Sequence, residues 1–374
     1  MTLPQAEHQG VNRPSGVTIS RFTSLGEIRS ASRELSGQDA VVALLGRRDA
    51  SLERCLPVLE ALSSSDAVWC AASGRGPIEE RMPDVHNRAF ERRSSAPRLL
   101  VDRGAIGART FLRRVRNRIR RARLRMRRTS LRPLDIAWVA TSRREFDRML
   151  IGPTTLVRPI HAFDLDQLVG IERRDIEQCS DLVYIDGLGP LHPDLTTLDV
   201  GLPLPTVENY FGRIVDAFAW LEAQTGKTVI IAAHPRAPRD GSMELRYGGR
   251  PIHYGSTAEL IARARVVLMS NPSDSLGMVL ALGKPVIVLR SVRQEHYEAA
   301  LCRGLKRFLG AAELWAEHPP KSFTWPVIND VRYRRMRERY IKGPNSPEGD
   351  YWTSVARDLR AFGSSQVSKE TVTG

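Results

Sequence analysis

At 374 residues with 42% apolar content, the chain is long enough for two domains, each with its own core. Its four cysteines, Cys55, Cys70, Cys179 and Cys302, are scattered without a CxxC pair, which argues against a zinc knuckle or a disulfide framework and for a reducing compartment. Much of the formal charge of +14 lies in one arginine-rich run, and no stretch approaches the roughly 18 continuous apolar residues that span a bilayer, so a cytoplasmic protein is expected.

In chain order, residues 1–16 are polar and without periodicity and read as a disordered N-terminus. Strand-like runs follow at 17–22, 40–46, 67–71, 98–101 and 135–140, with the helical spacing Leu52, Cys55, Leu56, Leu59, Leu62 after the second. This alternation of strand and helix patterns predicts parallel βαβ units in a first Rossmann-like domain, residues 17–175, assigned to the acceptor. Within it, the run from Phe111 to Arg128, whose arginines lie between Arg113 and Arg128, carries Leu112, Val115, Ile119, Ala122 and Met126 at helical spacing. It reads as a basic amphipathic helix at 111–128 suited to anionic lipid, which would hold the protein at the inner membrane face. Nucleic acid is disfavoured, because no aromatic residues interleave after Phe111.

A clearer series fills residues 176–340: strands at 182–186, 228–232, 251–254, 266–270 and 285–289, with helices at 207–224, 257–264 and 274–282. Gly226 and Gly283 stand where left-handed helix caps are needed. A helix within 341–363 is expected to pack back on the first domain, followed by a disordered tail at 364–374.

In an open parallel sheet, ligands bind outside the carboxyl ends of the strands, so the residues just past each strand of the second series converge. These are Asp186-Gly187; His234, Pro235 and Arg236; Tyr254, Gly255, Ser256 and Thr257; and Ser270, Asn271, Ser273, Asp274 and Ser275. The serine-rich loop enters a helix, whose free amide groups suit a nucleotide phosphate, although Ser273 or Asp274 would serve equally as a plain N-cap. Histidine titrates near neutrality, so His234 suits donation to a phosphate oxygen or protonation of a departing phosphate. Asp186 is placed to deprotonate an acceptor hydroxyl, and Asp-Gly is also an ordinary turn. His192-Pro193 is a second His-Pro pair, ranked below because it lies in a connection. No DxD carboxylate pair stands at a strand end; the candidate, Asp164-Leu165-Asp166, falls between the domains, so neither metal nor cofactor is expected. His234, helix N-termini and arginines such as Arg236 or Arg239 would then neutralise the leaving group.

Ile185-Asp186-Gly187, Ala233-His234-Pro235 and the serine-rich loop from Ser270 to Gly277 occur in the order of the acidic-Gly, His-Pro and Ser/Thr motifs of GT-B glycosyltransferases of bacterial surface polysaccharide assembly. This half of the chain resembles that group, which includes capsular Kdo-transferases and bacterial sialyltransferases. The resemblance implies an α/β fold of two Rossmann-like domains facing a cleft. It also implies an inverting, metal-independent transfer from a nucleotide sugar, CMP-linked by preference, to a saccharide or lipid-linked acceptor. In it Asp186 is the general base, His234 the donor to the leaving-group phosphate, and Ser273 and Ser275 are phosphate ligands. Ile185 stands where the sialyltransferase-like motif has a second acidic residue. Other readings of the same scaffold are a nucleotide-sugar epimerase, a CDP-polyol phosphotransferase, and a non-catalytic or nucleic-acid-binding protein.

Overall fold

Among the described residues the β-branched runs become strands, and every strand pairing is parallel, as crossovers that cover both sheet faces require. The computed structural model describes residues 30, 33–34, 40–44, 59–61, 63–73, 131–140, 150–169, 171, 181–192, 205–271, 275–292 and 296–373. The expected N-terminal disorder at 1–16, the strands at 17–22 and 98–101 and the basic run 111–128 lie outside the described residues. The described residues fall into two compact units: residues up to 73 with 131–163 and 342 onward in one, and 164–341 in the other. The division after Phe163 comes earlier than the 175–176 boundary read from sequence. The reason lies in the 3-10 helix Phe163–Leu168: Asp164 packs close enough to α-helical Gly277 that a Cβ there would stand 3.3 Å from its carboxylate, which ties this turn to the second unit.

The first unit carries a sheet in the order β1-β2-β3-β4: β1 (Ala40–Leu44), β2 (Val68–Ser73), β3 (Ile136–Val139) and β4 (Leu156–Pro159). Strand β4 was not visible in the sequence, because Leu-Val-Arg-Pro is a half-exposed edge strand closed by a proline and has no apolar run. Trp69 and Trp138 are fully buried, and the Trp138 indole donates to Asp358 at 2.9 Å. Asp358 belongs to the C-terminal helix, Tyr351–Thr373, whose Tyr351, Val355, Leu359 and Phe362 recur at helical spacing and pack with Ile136, Trp138 and Ile160. His161 is buried beside this helix's approach, its imidazole bridging the Ala162 and Gly349 carbonyls at 3.0 Å each. The helix runs on as far as Thr373, through most of the tail read as disordered at 364–374. The polar composition there carries no signal of its own; once the packed first turns have met the cost of nucleation, each further residue adds a hydrogen bond.

The second unit has the strand order β10-β9-β8-β5-β6-β7, from β5 (Asp181–Ile185), β6 (Val229–Ala232), β7 (Ile252–His253), β8 (Ala264–Met269), β9 (Val286–Arg290) and β10 (Ala312–Trp315). The chain starts at the centre, builds outward through β6 and β7, then crosses back to place β8 against the other side of β5. Helices α1 (Val207–Thr225), α2 (Ser242–Arg246), α3 (Thr257–Arg263), α4 (Leu276–Ala281), α5 (His296–Leu309) and α6 (Asp330–Tyr340) accompany it. Helix α1 shows why the sequence folds so: the Thr206 side chain accepts from the Asn209 amide at 3.2 Å, Gly226 closes it at φ 66°, and Tyr210, Ile214, Ala217, Phe218 and Leu221 form its buried stripe. At about 1.5–3 kcal/mol for each large apolar side chain buried, that stripe fixes the helix on the sheet.

Candidate functional site

Strands β7, β6, β5 and β8 are consecutive neighbours, so the residues just past their carboxyl ends form one row: Tyr254, His234, Asp186 and Ser270. The order reverses between β5 and β8, the point at which an open α/β sheet leaves a crevice for a ligand. Gly187 and Asn271 flank that point, and a Cβ on Gly187 would run into the Asn271 amide, so only glycine lets the two loops approach this closely. The Asn271 Oδ1 is buried there without a hydrogen-bond partner among the described residues.

Asp186 is 2% exposed. Its Oδ1 accepts from the Tyr247 hydroxyl and the Leu188 amide, both at 2.7 Å, and its Oδ2 accepts a longer bond, 3.4 Å, from the His234 amide. Burial pushes this carboxyl above the usual range, opposed by those three donors. The residue expected as general base is thus enclosed, and its oxygens fasten three segments: the turn after β5, the exit of β6 and the end of α2. The turn is tight. Leu188 sits at φ 56° and Gly189 at φ 47°, where a Cβ would enter the Tyr210 ring.

Ser270, expected to hold phosphate, is 3% exposed and turned inward. Its hydroxyl lies 2.8 Å from that of Tyr184 and 2.7 Å from that of Tyr210, and its carbonyl accepts from the Cys302 thiol at 3.0 Å. Tyr184, Tyr210 and Tyr247 are all fully buried, and burial raises the Tyr184 and Tyr247 phenols well above their ordinary values, so they remain neutral. The β8 end is therefore fixed from beneath, as the β5 end is by Asp186.

His234 is half-buried. Its Nδ1 accepts from the Arg236 amide at 3.1 Å, so the neutral ring carries its proton on Nε2 and is a donor there. The His192 ring stands edge-on to it, centroids 4.9 Å apart. Pro235, Arg236 and Arg239 are exposed. The Arg239 guanidinium lies 5.1 Å from the Tyr254 ring centroid, and the Tyr254 hydroxyl donates to the Pro238 carbonyl at 2.7 Å, which joins the loop after β6 to the end of β7. Gly255 follows at φ 78°, and Ser256 and Thr257 head α3 without a side-chain cap bond from Ser256. Ser275 heads α4 in the same way, while Ser273 and Asp274 lie outside the described residues. Among the described residues, no group of three or more His, Cys, Asp or Glu is placed to hold a metal. An imidazole donor and two exposed guanidinium groups, beside a crevice whose carboxylate is enclosed, suit an anionic ligand.

No family model and no curated protein matches the sequence. The solved structures that match at low similarity include glycosyltransferases. CalG4, the calicheamicin glycosyltransferase, is 14% identical over 84% of this chain and 73% of its own, with a TM-score of 0.41. The spinosyn forosaminyltransferase SpnP is 11% identical over 90% and 80%, TM-score 0.40. UGT2 of Phytolacca americana, complexed with UDP-2fluoro-glucose and pterostilbene, is 14% identical over 90% and 73%, TM-score 0.35.

Two groups of residues here went unmarked or undervalued in the sequence. His192 carried a signal, its His-Pro pair, but its connection gave no reason to place it beside His234. Tyr184, Tyr210 and Tyr247 sit in apolar strand and helix patterns and read simply as core; nothing local marks their hydroxyls as polar supports for the loop ends.

Proposed function

We propose that the second unit binds the phosphate of a nucleotide-activated sugar at the β5/β8 switch point and that the protein is a glycosyltransferase. The observation that supports this reading is the strand order β10-β9-β8-β5-β6-β7, with His234 just past the end of β6, the neighbour of β5. His234 donates to a phosphate oxygen of the donor, and Arg236 and Arg239 offset the charge that grows as the nucleotide leaves. The acceptor oxygen forms its bond to the anomeric carbon while the bond from that carbon to the phosphate oxygen breaks, with inversion; the bonding pair leaves on the phosphate oxygen of the released nucleotide and the acceptor's hydroxyl proton passes to solvent water. Asp186 acts by positioning: it holds the His234 amide and the turn at Gly187. By resemblance the donor is a CMP-sugar and the acceptor a surface polysaccharide or glycolipid.

The test is nucleotide release from CMP-, UDP- and GDP-sugars, with and without saccharide acceptors. Release that accelerates with an acceptor, with the sugar recovered on it, is expected. Sugar interconversion that needs no acceptor, or no turnover of any donor, would overturn the reading.

A further inference from the structure

We propose that the outward face of α6, with the loop leading into it, docks on an anionic membrane surface. The inner side of α6 is fixed: Tyr333 is 5% exposed and its hydroxyl donates to the Lys284 carbonyl at 2.9 Å. The Arg332 guanidinium donates to the Lys306 and Arg307 carbonyls at 3.4 and 3.3 Å, capping the end of α5. What remains faces solvent. Val327 is 87% and Val331 72% exposed, two of the five large apolar side chains that stand out among the described residues. Arg334, Arg335 and Arg337 are exposed and have no ion-pair partner among the described residues. Arg303 and Arg307 are exposed on α5, which packs against α6. Against these cations stand only Asp330 and Glu338 on α6 itself.

At 100° per residue, Val331, Arg334 and Arg335 share one side of the helix. Single exposed valines are ordinary, but two of them four positions apart beside unpaired arginines make an amphipathic surface. Its chemistry fits phospholipid: the valines reach the boundary below the headgroups and the guanidinium groups pair with phosphates. Single-stranded nucleic acid would want stacking rings, and the nearby aromatic residues are spent inward. Phe323 packs on Trp220 and Trp325, and the Arg265 guanidinium lies 3.7 Å from the Trp325 centroid. This surface is independent of the nucleotide reading and of the run at 111–128.

The full chain is sedimented with vesicles of phosphatidylcholine alone and of an equal mixture with phosphatidylglycerol. Wild type should pellet with the anionic vesicles only. Each arginine near such a surface strengthens binding roughly fivefold, so combined Arg334→Gln, Arg335→Gln and Arg337→Gln should weaken it about a hundredfold. Val327→Ser with Val331→Ser should weaken it as well. Removing the same number of charges at Arg158, Arg357 and Arg360 should leave it unchanged. Wild type that ignores anionic vesicles, binds a nucleic-acid oligomer in their stead, or pellets equally well as the α6 triple variant would overturn the proposal.

Discussion

The Asp186 carboxylate serves three donors, and two of them, the Tyr247 hydroxyl and the Leu188 amide, have no water to turn to. Asp186→Ala should cost about 3 kcal/mol in urea denaturation, the penalty of buried groups left unsatisfied. Asp186→Asn keeps one oxygen for Tyr247 and Leu188 but turns an amide toward the His234 N–H. A positioning role predicts weaker nucleotide binding in this variant; a general base would leave binding intact and remove turnover. The pH dependence has a definite sign. Burial raises the folded carboxyl above its unfolded value, so between the two values the native state keeps a proton that the unfolded chain has lost. This group's contribution to stability therefore falls as pH rises through that window and is level above it. Asp186→Asn should remove that downward slope in urea midpoints measured across the acidic range.

At the scale of elements, the signals that could be read were caps and continuous apolar runs. Thr206 and Gly226 bound α1 where the sequence placed it, and Thr206→Ala or Gly226→Ala should each cost about 1 kcal/mol in thermal or urea unfolding without altering nucleotide binding. Strands β5, β6, β8 and β9 are buried on both faces, so each writes itself as an apolar run. Elements held mainly by tertiary contacts did not. Strand β4 is half exposed, and α6 shows only Val331, Tyr333, Met336 and Tyr340 among its arginines, a pattern too weak to distinguish from a solvated basic stretch. The serine loop illustrates a different failure. A hydroxyl after a strand end reads as a ligand for phosphate, but Ser270 is turned inward by Tyr184 and Tyr210, partners 86 and 60 residues away in sequence.

For the whole molecule, the sequence indicated two parallel α/β units but not which strands adjoin. Reversal of the order between β5 and β8 is a property of the assembled sheet, and it turns four separate strand-end motifs into one row. His192 joins His234 only through that assembly. The central claim, that this row binds a nucleotide through His234, is tested most directly by thermal unfolding of wild type and His234→Ala with CMP, CDP, UDP and GDP. At least one nucleotide should raise the wild-type midpoint by several degrees, as ligand held by the native state alone must, and His234→Ala should lose most of that gain. A wild type indifferent to all four nucleotides, or a variant that responds equally, would contradict the claim.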